Sequence, residues 1–507
     1  MQTEILSGAP LWIHFLAGAA FLTVLRLLPI WLVPDYMPGD IRAMRLFIRR
    51  ERHQQGDLLR HGYNHPILFP LLISRTGIPF RILHIVVPTL ADIITLGALV
   101  ATLSWLKQLG IVTPAGAIAV IYLFVFYPAS IIVYIGPRSY GLSERITMEA
   151  IYTIAVLLLL LSETIFAHVI AGMLLVYLVL ASRFSVQVII LVLLPALLVQ
   201  RDWDGLGILV LAFLVALIMP GMHYLERLKH HWAHLMHFRR YIGDRRYLVG
   251  NRNMLPSCRN LSLGKCMKRW FKFLTRTNAY SAGLLWHFPV IFAALSHIAG
   301  NTPEFLHGLA ALVLWAVIAW LLTGFSIFKI AGIAERYLAF NLVPALVILA
   351  VNVGAAVEQL LLVYIPAALL LLPITIHNLH TLTHRQRQNE KQVAQLADWL
   401  NDQPQDLRVA AALPTPYLWL LLERLWDRFS WYDIFFHGKW DEKTVLHRYP
   451  KCSYLKAGGY ELFVTLPEIH RELVEYDPCY RKVLTDKKQV GDFVVYRVRA
   501  QPKIEVE

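Results

Sequence analysis

The residues best suited to chemistry follow the first long apolar run of the chain. Residues 37–65 contain one acid behind a Pro-Gly pair, Asp40, together with six arginines. Because Pro38-Gly39 favours a turn, the Asp40 carboxylate is expected on a constrained loop rather than in a helix. A carboxylate beside several guanidiniums suits a reaction in which a base removes a proton while cations stabilise an anionic leaving group. The local pattern fits a solvated acid equally well.

The segment after Asp40 predicts a basic amphipathic helix. Between Ile41 and Arg52, apolar side chains interleave with arginines that include Arg42, Arg45 and Arg49. Such a helix is expected to lie in the membrane interface, with its arginines on phosphates and its apolar face in lipid. A generic membrane-surface helix is the alternative interpretation.

A second polar group precedes a short apolar segment. Tyr63 and His65 stand beside Pro66, at the start of an apolar stretch that ends near Ser74. This stretch is too short to span a bilayer and is interpreted as re-entrant or interfacial. Proline corners also start many interfacial helices, so the sequence alone does not separate a site from a structural corner.

Polar residues also flank two later spans. Arg138 and Glu144 lie in the segment that joins the third and fourth predicted spans, whereas Arg336 and Tyr337 open the tenth. An arginine in such a place can clamp a phosphate through its planar fork. The structural alternatives are a helix-start acid at Glu144, a snorkelling base at Arg145 and an aromatic-belt residue at Tyr337.

The elements that must position these residues are those of a membrane protein. The chain has 507 residues, 57% of them hydrophobic and 16% charged, and its mean hydropathy is positive. The apolar residues form runs of about 20, enough to cross a hydrocarbon core roughly 30 Å thick. The first run is interpreted as a retained span rather than a cleaved signal peptide. The sequence predicts a polytopic α-helical membrane protein with about eleven spans, at 10–33, 81–106, 111–135, 146–162, 165–181, 184–200, 205–225, 279–299, 305–327, 338–353 and 357–377.

The predicted topology places the long polar segments of the chain on one side of the membrane. Two long loops, residues 34–80 and 226–278, lie on the same side as the C-terminal segment when eleven spans are counted. With the N-terminus in the cytoplasm, both loops and the C-terminal segment are extracytoplasmic. The positive-inside rule argues against this orientation, because the short outer loops carry more Lys and Arg than the inner ones.

Beyond Leu382 the composition changes to that of a small α/β domain. A domain of about 120 residues is large enough to fold alone. Residues 385–400 alternate in charge like an exposed helix. A further helix is predicted at 417–425, and strand-like β-branched and aromatic content occurs at 407–412, 460–466 and 493–498.

The net charge limits the classes of binding partner, and the cysteines raise the question of disulfides. The formal net charge is +14, and basic clusters at a membrane surface indicate anionic headgroups or an anionic substrate. Nucleic acid is disfavoured, since these segments show no nucleic-acid-binding signature. Cys258 with Cys266, and Cys452 with Cys479, would form disulfides if both segments face an oxidising compartment. Four unpaired thiols are an equal alternative.

Histidines on helical faces raise the question of a metal site. The long basic loop around the first set would repel a divalent cation, so both sets are interpreted as interfacial residues that touch headgroups rather than as ligands. The two sets are His223, His230, His234 and His237, and His377, His380 and His384.

In their order along the chain, these motifs resemble those of a known family. An acid loop after the first span, His65-Pro66 before the second and Arg336-Tyr337 opening a late span resemble the GT-C superfamily of polyprenyl-phosphate-sugar glycosyltransferases. The branch that the chain resembles most contains the protein O-mannosyltransferases and lipid A aminoarabinose transferases. The similarity includes residues 178–185, LVLASRFS, and the C-terminal α/β domain resembles the extracytoplasmic domain of that branch.

The resemblance implies transfer of a sugar from a lipid-linked donor outside the cytoplasmic membrane, and it favours the extracytoplasmic orientation over the positive-inside rule. It makes residues 1–382 a transmembrane catalytic domain, residues 383–507 an extracytoplasmic domain and Asp40 the catalytic base. Many members carry Asp-Glu at this position, whereas Asp40 is followed by Ile41. The missing second acid makes Glu144 or Asp57 a candidate substitute. No cofactor is firmly implied, and a divalent metal stays an open alternative without assigned ligands.

The remaining roles follow from the same resemblance. The predicted partners are a polyprenyl-phosphate-sugar donor, membrane lipids and an extracytoplasmic glycan, lipid or protein acceptor. The predicted location is the cytoplasmic (inner) membrane. Asp40 and Glu144 are the predicted catalytic residues. The donor phosphate is assigned to Arg42, Arg45, Arg138, Arg336 and Tyr337, and the sugar or acceptor to Tyr63, His65 and Asp57.

Two other functions stay open at the level of the sequence. A transporter or flippase of a lipid-linked anionic substrate would use charged residues within its spans, of which Arg26 and Asp92 are the main ones. The small number of such charges and the lack of an internal repeat disfavour transport. A scaffold of an envelope assembly, with Asp40 incidental, is the non-catalytic alternative.

Overall fold

The chain divides into two compact units. The first, the membrane unit, comprises Met1–Pro34, Thr76–Tyr224 and Asn251–Leu379, and the second, the α/β unit, comprises Asp35–Arg75, Leu225–Gly250 and His380–Glu507. The structure is a computed structural model. It describes residues 10–33, 37, 39–55, 68–127, 141–142, 144–225, 228–229, 232, 258, 262–274, 279–300, 302–323, 328, 334–404, 407–413, 415–425, 452, 455 and 460–499.

The described part of the membrane unit is helical. Its helices in chain order are α1 (Leu11–Leu32), α4 (Phe80–Gln108), α5 (Pro114–Val125), α6 (Glu144–Leu161), α7 (Ile165–Ala181), α8 (Arg183–Val188), α9 (Leu194–Gln200), α10 (Trp203–Ile218), α11 (Leu263–Leu274), α12 (Ala279–Trp286), α13 (Phe288–Ala299), α14 (His307–Leu322), α15 (Glu335–Phe340), α16 (Leu342–Asn352) and the first part of α17 (Val357–Asn401). A π-helical turn, Ile189–Leu193, connects α8 to α9.

Apolar helices dominate this unit, which makes the protein a multi-pass membrane protein. Each of the eleven predicted spans contains a helix, but the number of spans stays a prediction. By length and composition, five described helices can cross a membrane: Leu11–Leu32, Phe80–Gln108, Arg183–Gln200, Glu304–Leu322 and Val357–Asn401. Five further apolar helices are shorter: Pro114–Val125, Ile165–Ala181, Trp203–Ile218, Phe288–Ala299 and Leu342–Asn352.

Side-chain caps separate apolar runs that lie close together in the sequence. Thr113, Thr164 and Asp202 accept hydrogen bonds from backbone N–H groups three residues ahead, at 3.2, 3.3 and 2.8 Å, and begin α5, α7 and α10. Ser182 does the same for α8, where its Oγ accepts from the Phe184 N–H at 3.2 Å. Ser, Thr and Asp are favoured at this position because they satisfy backbone donors that a helix start leaves open.

Some predicted spans are interrupted. The run 279–299 is two helices that meet at His287, directly before Phe288-Pro289. The run 338–353 is divided at Asn341 into α15 and α16. In the run 205–225 the first helix ends at Ile218, because extended backbone at Met219 precedes Pro220. Apolar composition predicts a span but not the places where its backbone bends.

The α/β unit is built on a four-stranded sheet. Its strands are β1 (Val409–Ala412), β2 (Leu462–Thr465), β3 (Leu484–Val490) and β4 (Phe493–Val498), in the order β1-β2-β4-β3. The β1–β2 pair is parallel and the other two pairs are antiparallel. The helices of the unit are α2 (Gly39–His53), α3 (Leu68–Arg75), the second part of α17, α18 (Thr415–Leu425), α19 (Pro467–Tyr476) and α20 (Cys479–Val483).

The predicted elements of the C-terminal region are present, with one strand missed. Strands β1, β2 and β4 and helix α18 lie where β-branched, aromatic and apolar residues predicted them. Strand β3 was not predicted, because residues 486–489 are polar and exposed, as is common in an edge strand. The helix predicted at 385–400 is part of α17, but it is not wholly exposed: Val393, Leu396 and Leu400 are buried in the core of the unit.

Helix α2 corrects two expectations. Asp40 is the second residue of this helix rather than part of a loop. Proline before a helix and an acid in its first turn both favour a helix start, and this outweighs the turn preference of Pro38-Gly39. The apolar face does not enter lipid. Leu46 and Phe47 are buried in the core of the α/β unit, and Ile41 is fully buried.

Both cysteine pairs form disulfides. Cys258 bonds to Cys266 with Cα atoms 5.3 Å apart, and Cys452 bonds to Cys479 with Cα atoms 5.9 Å apart. Of the two sequence-level alternatives, the disulfides are therefore correct and the four unpaired thiols are wrong.

Candidate functional site

The beginnings of three helices meet in the membrane unit. Glu144 is the first residue of α6, Arg183 and Phe184 begin α8, and Arg336 lies in the first turn of α15. These helices correspond to the fourth, sixth and tenth predicted spans. Helices that alternate in direction start on the same side at every second span, so chain topology alone brings these residues to one end of the unit. We call Glu144, Arg145, Ser182, Phe184, Arg336 and Tyr337 the arginine–phenylalanine cluster.

Two guanidiniums of this cluster face one aromatic ring. The Arg336 guanidinium carbon lies 3.5 Å from the centre of the Phe184 ring, and that of Arg145 lies 5.0 Å from it. A guanidinium over an aromatic face is attracted by the negative face of the ring. Arg336 is only 6% exposed. The cluster therefore keeps positive charge at a position largely removed from water.

A buried acid stands beside these arginines. Glu144 is 6% exposed, and its Oε1 accepts a hydrogen bond from Ser182 Oγ at 3.3 Å. Because the Ser182 hydroxyl also accepts from the Phe184 N–H, one side chain connects the acid to the helix that carries the ring. Glu144 therefore begins α6, as the helix-start alternative expects, and it is also buried and hydrogen-bonded.

A hydrogen-bonded chain fixes the helix that carries Arg336. Tyr152 of α6 donates its hydroxyl to Asn341 Oδ1 at 3.4 Å, and Asn341 Nδ2 donates to the Tyr337 carbonyl at 2.8 Å. The rings of Tyr152 and Phe340 meet edge to face at 5.5 Å. Buried, satisfied networks of this kind rigidify a core. They hold α15 against α6, and with it the position of Arg336.

Tyr337 is not an aromatic-belt residue. It is 1% exposed, whereas belt residues place their polar tips in the membrane interface. Its carbonyl takes part in the chain that holds α15. Tyr337 thus belongs to the packed surroundings of Arg336, and contact with a donor phosphate stays a prediction.

The turn before α6 is held by a histidine. His84 Nδ1 accepts a hydrogen bond from the Leu142 N–H at 3.1 Å. Gly141 has a φ of +94°, and a Cβ there would overlap the His84 ring. Only glycine allows both the backbone conformation and the close approach. This contact sets where α6 begins and therefore where Glu144 lies.

The predicted phosphate ligands Arg42 and Arg45 belong to the α/β unit. Arg42 Nη1 binds Glu423 Oε2 at 2.8 Å, and Arg42 Nη2 binds Glu390 Oε1 at 2.5 Å. Its Nε donates to the Met37 carbonyl at 3.1 Å. Arg45 donates from Nε and Nη2 to Glu423 Oε1 at 2.9 and 2.7 Å. Both arginines are therefore held by carboxylates of the same unit.

The structure separates the remaining predictions into two groups. Glu144, Arg336 and Tyr337 meet in the membrane unit, while Asp40 lies on α2 of the α/β unit. The predicted convergence of Asp40 with the others stays a prediction. The rest fall outside the described residues: Tyr63, His65, Asp57 and Arg138.

Several residues of the site were not predicted from the sequence. Phe184 and Ser182 lie in the stretch LVLASRFS, which was noted only as a whole. A Ser-Arg-Phe step between two long apolar runs is the signal that would have indicated a capped, charged junction. Arg145 was interpreted as a snorkelling base, yet it lies near the Phe184 ring. Among the described residues, no group of three or more His, Cys, Asp or Glu lies close enough to hold a metal ion.

Comparison with solved structures finds a likeness, whereas the sequence comparisons find none. No protein-family model matches the chain, and no curated protein matches it. The chain is similar to the crystal structure of ArnT from Cupriavidus metallidurans in the apo state, at 14% sequence identity, over 96% of this chain and 100% of that one. The TM-score is 0.40. A likeness at this level establishes neither a shared fold nor a shared activity.

Proposed function

We propose that the protein is an integral membrane glycosyltransferase of the GT-C type, which moves a sugar from a polyprenyl-phosphate donor to an extracytoplasmic acceptor. The observation that carries the proposal is the buried Arg336 guanidinium on the Phe184 ring, with Glu144 in the same cluster. Buried positive charge at the ends of apolar helices suits a lipid-linked phosphate, whose tail lies among the spans.

The proposed reaction is a direct displacement. The Asp40 carboxylate takes the proton of an acceptor hydroxyl, whose oxygen forms a bond to the anomeric carbon of the sugar. The bond from that carbon to the phosphate oxygen breaks, and polyprenyl phosphate leaves with the electron pair. Arg336 and Arg138 stabilise the charge that develops on the leaving phosphate. Tyr63, His65 and Asp57 contact the sugar or the acceptor.

Within this function we propose two changes of role relative to the sequence-based assignment. Arg42 binds Glu390 and Glu423, and Arg45 shares Glu423 with it within the α/β unit, so we assign the donor phosphate to arginines of the membrane unit instead. Arg145 takes their place, because it shares the Phe184 ring with Arg336. Glu144 orients this pair of cations, and it is the next candidate for the base if Asp40 is not.

Two disulfides support an extracytoplasmic orientation. Structural disulfides persist mainly in oxidising compartments, and all four cysteines of the chain are paired. A cysteine introduced at the exposed Ser262 would therefore be the only free thiol. It is expected to react with a membrane-impermeant reagent on intact cells. Glu163→Cys, between α6 and α7, is the matched control on the predicted cytoplasmic side and should react only after permeabilisation. Protection at Ser262→Cys would reverse the orientation.

The test of the function is release of polyprenyl phosphate from short-chain polyprenyl-phosphate sugars by the purified protein. Wild type is expected to release it, and Asp40→Asn should lower the rate by about 10²–10⁴-fold, the usual contribution of a general base. Equal release from both proteins would remove Asp40 from catalysis and move the test to Glu144→Gln. No release from any bound donor would count against a transferase.

A second candidate, transport of the same lipid-linked class, is favoured by one contact. Arg26 of α1 and Asp92 of α4 form an ion pair of 2.5 Å, and the Asp92 side chain is 1% exposed. Ionisable residues within spans often mark a substrate or ion path. Suppose that a labelled donor moves between the two leaflets of proteoliposomes and that this movement is lost in Asp92→Asn. This result would support transport of the lipid over transfer of its sugar.

A further inference from the structure

A cavity in the α/β unit is lined by more arginines than its carboxylates can neutralise. It has a volume of about 490 Å³ and lies between α2, α17 and α18. Four guanidiniums face two carboxylates there, Glu390 and Glu423. The lining therefore has a net charge of two positive. We call it the arginine–glutamate cavity.

The spacing of the α2 arginines explains why they share one wall. Arg42, Arg45 and Arg49 are separated by three and four residues, which places them along one face of the helix. The opposite face of α2 carries residues such as Phe47, which is buried in the core of the unit. Burial of the apolar face thus turns the three arginines towards the cavity.

The arginines differ in what they bind. The Arg42 side chain is 7% exposed and holds two carboxylates, so it supports the wall of the cavity. The Arg45 side chain is 40% exposed and shares Glu423 with Arg42. Arg49 and Arg424 are exposed, and within the described residues no carboxylate lies within ion-pair distance of either. These two supply the excess charge.

We propose that the arginine–glutamate cavity binds a phosphate group, with Arg49 and Arg424 as its direct ligands and Arg45 as a third. Guanidinium forks match phosphate oxygens in geometry as well as charge. Glu423 holds Arg45 in place before any ligand arrives, which lowers the ordering cost of binding. Leu46 and Leu420 add apolar wall.

The volume indicates that the ligand is larger than phosphate alone. Small-molecule sites occupy about 300–1,000 Å³, and the cavity falls within this range. A glycerol or sugar attached to the phosphate would fit beside it. The phosphate belongs either to a lipid headgroup or to a soluble phosphate ester. The site is independent of the proposed transferase reaction, because it needs no sugar donor and lies within the α/β unit.

Calorimetric titration of the purified full-length protein in a neutral detergent tests the proposal. The probes are inorganic phosphate at constant ionic strength and dihexanoyl phosphatidic acid below its critical micelle concentration, with dihexanoyl phosphatidylcholine as the reference lipid. Arg49→Gln/Arg424→Gln should weaken binding by at least about tenfold, since hydrogen bonds to charged groups contribute that much or more. Arg471→Gln/Arg481→Gln removes the same charge from exposed positions of the same unit and should leave binding nearly unchanged.

Each outcome decides the matter. Binding of both probes shows that the phosphate group suffices, binding of the lipid alone assigns a headgroup, and binding of phosphate alone assigns a soluble ester. Absence of binding to wild type, or equal weakening by the two double variants, would overturn the proposal. If the glutamine variant does not fold, Arg49→Lys/Arg424→Lys keeps the charge but loses the fork, and binding should still weaken. No sugar donor is present, so failure here is distinct from failure of the transferase proposal.

Discussion

Buried arginines are held differently in the two units. In the α/β unit, Arg42 binds Glu423 through Nη1 and Glu390 through Nη2, and its Nε donates to the Met37 carbonyl. In the membrane unit, the guanidinium carbon of Arg336 lies 3.5 Å from the centre of the Phe184 ring. Both arginines are more than nine-tenths buried. The difference lies in the chemistry of the neighbour and not in the degree of burial.

A carboxylate and an aromatic ring act differently on the charge of a neighbouring arginine. A carboxylate takes N–H donors and cancels the charge, so the pair is held by its own attraction and mainly fixes the architecture. An aromatic ring takes no N–H donor and no charge, and it desolvates only the face of the guanidinium. In the proposed function Arg336 recognises the donor phosphate, whereas Arg42 positions what surrounds it.

Of the two buried arginines, Arg336 should have the larger effect on activity when it is replaced. Arg336→Ala is expected to lower kcat/KM for a polyprenyl-phosphate-sugar donor by about 10²–10³-fold, as removal of one donor to a developing oxyanion does. Arg336→Lys keeps the charge without the fork and should recover part of the loss. Steady-state release of polyprenyl phosphate is the measurement.

The matched control for Arg336 is Arg81→Ala, an exposed arginine at the start of α4. Surface substitutions change free energies by about 0.5 kcal/mol or less, so its activity should stay within about twofold of wild type. An equal loss in Arg81→Ala and Arg336→Ala would show that the buried Arg336 is no more important for activity than an exposed arginine.

Breaking the ion pair between Arg42 and Glu423 should lower the stability of the protein rather than its activity. Glu423→Ala leaves the buried Arg42 with one carboxylate fewer, and loss of one partner in a buried pair costs about 3 kcal/mol or more. The effect should lie in the α/β unit, seen as faster hydrogen exchange of β2 and β4. Arg42→Met/Glu423→Leu removes both charges and should be much closer to wild type, because apolar replacement of a whole pair is often neutral. If the double variant is as unstable as Glu423→Ala, the pair is not what stabilises this region.

The sequence predicted what depends on local pattern and on topology. Apolar runs located the helices of the membrane unit, and the predicted alternation of the spans placed Glu144 and Arg336 at one end of it. Strand β4 was located by its β-branched and aromatic residues. Each of these features depends either on the residues of one contiguous segment or on the number of spans that precede it.

The sequence did not predict what depends on distant partners. Arg42 meets Glu390 and Glu423, which lie 348 and 381 residues later in the chain, and no local pattern marks such a pairing. A basic helix on a membrane protein resembles a lipid-binding helix until the carboxylates that pair with some of its arginines are known. Strand β3 was missed for a similar reason, since its polar residues are explained by its edge position in the sheet.

A smaller effect is expected from the residue that joins the acid to the ring-bearing helix. Ser182→Ala removes the N-cap of α8 and the hydrogen bond to Glu144, and each such loss costs about 1 kcal/mol. The melting temperature of the purified protein should fall, and Ser182→Thr, which keeps the hydroxyl, should recover most of it. Unchanged stability in Ser182→Ala would show that the junction between α7 and α8 is held by packing alone.

The smallest effect concerns pH and the α/β unit alone. His470 stacks on Tyr496 with ring centres 4.5 Å apart, and burial, followed by the nearby positive charge of Lys487, lowers the pKa of His470 below its usual 6.5. Because the unfolded chain takes up the proton first, the unfolding free energy of this unit should fall as the pH drops below about 6.5 towards the folded-state pKa. His470→Gln should flatten that dependence, as measured by denaturant unfolding at pH 7.5 and pH 5.5, and His384→Gln, at an exposed position of the same unit, is the control. A pH dependence that survives unchanged in His470→Gln would show that His470 is not its source.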